Sequence, residues 1–200
     1  MVIAMKKSVL IVFFCFLLQH ITFSQEAEEK KNFAYVGMGT LTVPEIVHKF
    51  VDIWITALSA GYANSDTRTG TPPLTLGYQF YSSDNFSAGL SVTYEVLKKD
   101  ILSGSRNAGT NDASFLSTMG ELRLEYVSKE SFGMYLELGV GACFVNNTAK
   151  YDGKEDSADR TILAAQFSPV GLRFGNKFRV HLGLGLGMKG LFTGTVGMRF

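Results

Sequence analysis

Charged side chains alternate with large apolar residues in several stretches of this chain. The set comprises four carboxylates, four guanidinium groups and one imidazole: Glu95, Glu121, Arg123, Glu125, Glu137, Arg173, Arg179, His181 and Arg199. If these side chains share one enclosed space, their opposite charges predict a network of hydrogen-bonded ion pairs. A catalytic alternative also exists, because His181 or His48 beside Ser, Thr or Glu could form a hydrolytic constellation that acts on lipid.

The elements that carry these residues have the period-two pattern of β-strands. Phe86, Leu90 and Val92, for example, alternate with serine and threonine. The same alternation predicts eight strands, at 33–42, 74–81, 86–96, 116–126, 132–144, 162–174, 178–186 and 192–200. In the sixth strand the apolar residues change from one face to the other near Ser168-Pro169. This change predicts a β-bulge, a position where proline is tolerated.

The distribution of charge between the two strand faces indicates a membrane barrel. Every charged residue of the network lies on the face opposite the large apolar residues, and Arg or Lys on a lipid face costs about 2 to 4 kcal/mol at the midplane. Eight antiparallel strands leave room inside only for side chains, so an open pore is not expected. A soluble lipocalin-like carrier also alternates and remains an alternative class.

Aromatic residues are concentrated beside the short turns and the chain terminus. They are Phe80, Phe86, Tyr126, Phe132, Phe174, Phe178 and Phe200, with Phe33 near the start of the first strand. Such clustering predicts an aromatic girdle at one membrane interface. Tight turns are predicted at 82–85, 128–131 and 175–177. Long loops are predicted at 97–113 and 148–159, which are rich in Gly, Asn, Asp and Ser. The connection at 187–190 is short, although it lies on the side of the long loops. Short periplasmic turns and long external loops are typical of outer-membrane barrels.

One segment has helical instead of strand spacing. Behind Pro44 and Glu45, apolar residues recur at positions 46, 47, 50, 51, 54, 55 and 58. This pattern predicts an amphipathic helix in the first external loop, on the rim or at the lipid interface, with Trp54 suited to that depth. If 33–42 were not a membrane strand, the helix would instead be periplasmic.

The N-terminal residues form a separate region. Lys6 and Lys7 precede an apolar run at 9–18, which predicts a secretory signal peptide over 1–24 that is cleaved after Ser24. A short charged tail at 25–32 and the barrel at 33–200 follow. The net charge of +1 and the absence of a basic patch argue against nucleic-acid binding. No nucleotide-loop or zinc-ligand spacing occurs, so no cofactor or metal is expected.

The C-terminal strand supports a resemblance to a known family. Phe192, Val196, Met198 and Phe200 share one face, which resembles the strand signal that the barrel-assembly machinery recognises. With Leu76-Gly77-Tyr78 and the segment 167–174, the mature chain resembles the small outer membrane protein beta-barrel domain family of Bacteroidetes-type bacteria, within the OmpA/OmpX-like superfamily. The resemblance implies a Gram-negative outer-membrane location, contact with outer-membrane lipid and no catalytic residues. We therefore expect a non-enzymatic barrel with a role in envelope structure or surface interaction.

Overall fold

The fold is known from a computed structural model that describes residues 31–49, 63–103, 106–151 and 154–200. The predicted signal peptide and most of the charged tail lie outside the described residues, as does the helix prediction beyond Lys49. The described chain forms eight strands: β1 (Asn32–Thr40), β2 (Ala63–Tyr81), β3 (Phe86–Ser103), β4 (Arg106–Ser128), β5 (Phe132–Tyr151), β6 (Lys154–Phe174), β7 (Phe178–Gly187) and β8 (Phe192–Arg199). They close in chain order into an antiparallel barrel, which confirms the predicted fold class.

The barrel is closed by pairing between its first and last strands. Phe33 lies opposite Arg199 and Thr40 lies opposite Phe192, with continuous register between them. The ladder therefore has no free edge within the ring, and every strand there has a neighbour on both sides. Closure is the arrangement that satisfies backbone groups of strands without help from water.

The alternation of the sequence becomes an alternation of exposure. Along β7 exposed and buried residues follow each other without interruption. Val180 and Leu182 face outward, whereas Arg179 and His181 are buried inside the barrel. The predicted bulge in β6 is confirmed, because the register with β7 shifts between Phe167 and Val170.

The prediction of long loops at 97–113 and 148–159 is wrong. These residues continue β3, β4, β5 and β6, with Lys98 opposite Asp112 and Asn147 opposite Ala158. Their polar composition indicates contact with water and does not prevent strand pairing, because the ladder bonds come from the backbone. Together with the first part of β2, these extensions form a five-stranded sheet that projects beyond the ring, whereas β7, β8 and β1 are short.

The first loop begins with a capped helix. Residues 43–49 are helical, and Leu41 has a φ of 57° where the chain turns out of β1. The Thr42 hydroxyl accepts the Glu45 N–H at 3.2 Å, and the Glu45 carboxylate accepts the Leu41 N–H at 3.0 Å. This reciprocal pairing is a capping box with its return bond shifted by one residue.

The described part of this helix lies at the barrel mouth, on the side of the projecting sheet. Thr42 donates to Glu95 inside the barrel at 2.8 Å, and the His48 ring meets the buried Phe115 ring edge-on at 6.2 Å. For residues 43–49 these contacts agree with the predicted position on the rim and contradict the position at the lipid interface. The condition for the periplasmic alternative is not met, since β1 is a barrel strand. No helix in the described part of the chain is long and apolar enough to cross a bilayer.

Candidate functional site

The structure places the predicted ionic residues inside the barrel. Of the nine, Glu95, Glu121, Arg123, Glu125, Glu137, Arg173, Arg179 and His181 are each at most 4% exposed. Arg199 is partly exposed near the short turns. Because each strand sends alternate side chains inward, eight strands bring residues that are distant in sequence into one space.

A lysine that the sequence analysis did not select lies at the centre of this network. The Lys189 ammonium lies 2.5 Å from the Glu121 carboxylate and 2.8 Å from that of Glu137. Glu137 also accepts two bonds from the Arg123 guanidinium, at 2.5 and 3.1 Å. The Tyr35 hydroxyl donates to Glu121 at 2.6 Å. Each of the two carboxylates is therefore paired with a buried cation.

Lys189 reaches this position because the turn between β7 and β8 folds into the barrel. Its backbone N–H donates to the Gln166 side chain at 2.9 Å, and the Leu191 N–H donates to the Thr40 carbonyl at 2.8 Å. Gly190 has a φ of 109°, which favours glycine. Burial disfavours the charged ammonium, but the adjacent carboxylates of Glu137 and Glu121 raise the pKa of Lys189 well above its ordinary value.

The end of the barrel near the short turns contains a second group of charges. Arg173 donates from Nε to Glu125 at 3.0 Å and from its terminal nitrogens to the Lys129 and Gly175 carbonyls, at 2.8 and 3.1 Å. This arginine therefore ties two short turns to the barrel wall. Arg179 donates from Nε to the Asn176 carbonyl at 3.0 Å, but its Nη1 is buried without a hydrogen-bond partner.

The expectation that four acids pair with four arginines needs correction. Among the described residues, Arg123 and Arg173 pair with acids, whereas Arg179 forms no ion pair. Glu95 accepts one bifurcated bond from the Thr42 hydroxyl, with its two oxygens at 2.8 and 2.9 Å, and has no cation. The alternation along each strand determines which side chains point inward. Ion pairing also depends on the height of each side chain along the barrel axis, which the alternation does not determine.

His181 is enclosed by rings and is only 1% exposed. It stacks on Phe33 with centroids 4.9 Å apart, and Tyr135 lies against it at 5.5 Å. Its Nδ1 accepts from Arg123 at 2.5 Å, while its Nε2 has no partner. A lipid substrate cannot reach this imidazole, which argues against the hydrolytic alternative at His181. The assignment of Phe33 to the aromatic girdle is wrong, because its side chain is fully buried inside the barrel.

Two tyrosines of the interior lie over glycines on the neighbouring strand. Tyr35 is opposite Gly77, and Tyr135 is opposite Gly171. A Cβ added at either glycine would overlap the tyrosine ring. Each ring thus covers backbone that glycine leaves uncovered, and the Tyr35 hydroxyl is held at the centre of the network.

The interior is not polar along its whole length. Toward the projecting sheet it contains an apolar cluster of Leu97, Ala113, Phe115, Met119, Cys143, Ala164 and Met188. Helix 43–49 lies next to this cluster through the contact between His48 and Phe115. The expectation of a polar core therefore applies to the half of the barrel near the short turns, whereas Glu95 lies at the level of the apolar cluster, opposite Phe115.

The outside of the barrel is apolar. Among the predicted girdle residues, Phe80, Phe86, Tyr126, Phe174 and Phe178 are exposed, whereas Phe132 and Phe200 are partly exposed. A second set of exposed aromatics, Tyr94, Phe144 and Phe192, lies toward the other end. From Phe86 to Tyr94 β3 rises by roughly 20 Å, at about 3.4 Å per residue and a tilt of about 40°.

This outward band between the two aromatic levels has no charged residue in the described strands. Beyond the second level the outer surface becomes polar, with Lys98, Asp112, Asn146 and Asp156 exposed. The fold and its site define a class: a closed eight-stranded antiparallel barrel with an ionic interior and an apolar exterior.

Comparison with known proteins finds similarity at the level of solved structures. No protein-family model and no curated protein matches this sequence. The chain is similar to the crystal structure of Ail, the attachment invasion locus protein of Yersinia pestis, with 14% identity and a TM-score of 0.46 over 86% of this chain and 100% of that one. It is also similar to Ail in complex with the heparin analogue sucrose octasulfate, with 15% identity and a TM-score of 0.47 over 85% of this chain and 99% of that one.

Proposed function

We propose that this chain is a non-enzymatic integral protein of the outer membrane that presents its projecting sheet at the cell surface for interaction with a partner. One observation carries the membrane assignment, namely the uncharged apolar band outside a barrel whose charges are enclosed. Leu76 and Val140 of this band are 63% and 62% exposed. Fully burying such a side chain is favourable by about 1.5 to 3 kcal/mol. Lipid around the barrel provides this burial, whereas water leaves the side chain exposed.

The same arrangement argues against a soluble carrier. A soluble barrel needs polar residues outside and an apolar centre, whereas Glu121, Arg123 and Glu137 lie at the centre here and Leu122 and Leu138 lie outside. The interior side chains also bond to each other across the barrel. This packing supports a structural role for the ring and argues against a diffusion channel.

The projecting sheet supports the surface role. On the side away from β5, no described strand pairs with residues 154–164 of β6, because its ladder with β7 starts at Gln166. An unpaired strand edge offers its N–H and C=O groups to an extended segment of another chain. We therefore expect the partner to contact the β6 edge by strand addition.

Export belongs to the same proposal. We expect the signal peptide to be cleaved after Ser24, so that the mature chain starts at Gln25, and we expect the barrel-assembly machinery to recognise the strand that ends at Phe200. Intact-mass measurement of the extracted protein tests the cleavage. A mature chain that retains residues 1–24 would overturn this part.

Migration in a denaturing gel tests the membrane assignment. The protein extracted from the outer-membrane fraction in detergent should migrate faster unboiled than boiled, because a closed barrel stays compact in cold detergent. Recovery in the aqueous fraction, or the same migration with and without heating, would contradict it.

Epitope insertion tests the surface role. A tag inserted between Asp152 and Gly153, in the sequence that joins β5 to β6, should be labelled by antibody on intact cells. A matched tag in the turn at 82–85 should be labelled only after permeabilisation. A second variant joins Asn147 to Ala158, which are cross-strand partners, through an Asn-Gly turn and so removes the outer part of the β6 edge. It should keep the heat-dependent migration and lose crosslinked complexes on intact cells.

A further inference from the structure

Glu95 is a buried carboxylate without a cation at the mouth of the barrel. It is 2% exposed and follows Tyr94, which marks the second aromatic level, so it lies just beyond the outward apolar band. In the described part of the chain its hydrogen bond comes from the Thr42 hydroxyl, at 2.8 and 2.9 Å from the two carboxylate oxygens. The central network does not neutralise it, because the buried cations there pair with other carboxylates.

The strands around Glu95 present no charged group to it. On β4 it lies opposite Phe115, a member of the apolar cluster, and β5 contributes the buried thiol of Cys143. On β2 the register shifts between Thr71 and Leu74, so the two prolines between them lie across from it. An alanine of β6 and a methionine of the β7–β8 turn complete the cluster. Apolar surroundings disfavour the ionised form of a carboxyl group.

Helix 43–49 packs against this carboxylate from the mouth and brings one further acid. The Thr42 hydroxyl that donates to Glu95 also accepts the Glu45 N–H at 3.2 Å, so one hydroxyl joins the first turn of the helix to the barrel wall. The Glu45 carboxylate, which pairs with Lys49 at 2.7 Å, adds a like charge near Glu95. His48 is the remaining titratable group on the described helix, and its ring contacts an aromatic ring of the apolar cluster.

These surroundings change the acidity of Glu95. Burial is the main cause that raises the pKa of its carboxyl group from the ordinary value of 4.5 to about 7. The charge of Glu45 also raises this pKa, whereas the hydrogen bond from Thr42 lowers it. If the helix left the mouth, water would reach the carboxylate and Glu45 would move away, so the pKa would return toward its ordinary value. The docked helix therefore favours the protonated carboxyl group.

We propose that Glu95 is a pH-sensitive switch that holds helix 43–49 at the barrel mouth more firmly in acid than in neutral or alkaline solution. Because the docked state binds the proton more tightly, docking weakens as the pH rises from about 4.5 to about 7. Each pH unit in this range changes the docking equilibrium by at most about tenfold. Release of the helix removes its contact with Phe115 and exposes the apolar cluster at the mouth. The switch goes beyond the surface role and does not depend on it.

Amide hydrogen exchange of the full mature protein in detergent micelles tests the switch. The reporters are the Glu45 N–H, which donates to the Thr42 hydroxyl, and the Ile46 N–H, which donates to the Thr42 carbonyl at 2.9 Å. Exchange is followed by NMR as a function of pH, and each rate is divided by that of an unstructured peptide at the same pH. In wild type the protection of both amides should fall about tenfold between about pH 6 and about pH 8.

Three variants separate Glu95 from other titrating groups. Glu95→Gln keeps the shape of the side chain and removes its titration, so protection should change by less than about twofold over the same range. Asp112→Asn is the matched control, because Asp112 is an exposed acid of the projecting sheet, and it should keep the wild-type profile. His48→Gln removes the imidazole of the helix and should also keep that profile.

Each outcome decides the proposal. A fall of about tenfold in wild type that Glu95→Gln abolishes supports the switch. Equal protection of wild type across the range overturns it, as does a fall that persists in Glu95→Gln or disappears in His48→Gln. If Glu95→Gln does not fold, Glu45→Gln takes its place. Loss of the neighbouring charge should then move the midpoint of the fall to lower pH, and an unmoved midpoint overturns the proposal.

Discussion

Replacement of Lys189 by methionine tests whether the central network holds the barrel together. Methionine keeps most of the length of the side chain and removes the ammonium that lies 2.5 Å from Glu121 and 2.8 Å from Glu137. Glu137 keeps Arg123, so the carboxylate that loses its cation is Glu121. Removing one partner of a buried ion pair typically costs about 3 to 5 kcal/mol, because the other charge stays buried and uncompensated.

The lower end of that range applies here. Glu121 still accepts from the hydroxyls of Tyr35 and Ser91, which compensate part of the lost interaction. We therefore expect Lys189→Met to lower the free energy of unfolding by about 3 kcal/mol, a change of roughly 150-fold in the ratio of folded to unfolded protein. The double variant Lys189→Met/Glu121→Gln removes both charges and should recover most of the loss.

Guanidinium-induced unfolding in lipid vesicles, followed by fluorescence of the single tryptophan, measures these differences. Lys98→Met is the matched control, since Lys98 is exposed on the projecting sheet. It should change stability by less than about 0.5 kcal/mol. The reasoning is refuted if Lys189→Met unfolds within 1 kcal/mol of wild type, or if the double variant is no more stable than the single one.

Three further substitutions test the wall, the exterior and the helix cap. Gly77→Val places a Cβ in the ring of the tyrosine that covers it and should lower the free energy of unfolding by about 1 to 3 kcal/mol in the same assay. Gly120→Val is the control, because its Cβ would meet only one atom, at 3.8 Å, and stability should be nearly unchanged. Leu122→Arg puts a charge on the outer band and should lower stability by about 2 to 4 kcal/mol in vesicles; an unchanged midpoint would count against a lipid-facing wall. Thr42→Val removes the helix cap and the bond to the Glu95 carboxylate. Amide exchange in residues 45–47 should therefore accelerate at least fivefold, an effect of about 1 kcal/mol or more. Protection equal to wild type would show that the cap does not hold the helix.

The ring of the barrel could be predicted from the sequence because the two strand faces meet different surroundings. Alternation in segments such as Phe178 to Leu186 determines which side chains point inward, and the tight turns at 82–85 and 175–177 mark where strands reverse. The bulge at Ser168-Pro169 was also visible, since one extra residue exchanges the two faces. These are local signals, so a single sequence is enough to detect them.

What the sequence did not reveal depends on relations between strands. Lys189 lies in a four-residue turn, and nothing local indicates that this turn folds inward until a glycine with positive φ and the contacts with β1 are known. Nearness to the short turns and the chain terminus predicts a girdle position for Phe33, but its strand has apolar residues on both faces. The extensions of β3 to β6 cannot be distinguished from loops by composition, because strands in contact with water are also hydrophilic.

The pairing of Phe33 with Arg199 joins residues from opposite ends of the described chain. On the export route proposed above, this seam cannot form until the last strand has crossed the inner membrane. The first strands then wait in an aqueous compartment with an unpaired edge and an exposed apolar surface. Contacts so distant in sequence form slowly, and the waiting chain is prone to aggregation. Periplasmic holdases are therefore expected to govern how much of this protein matures, and their depletion should lower its yield before any change in the finished barrel becomes visible.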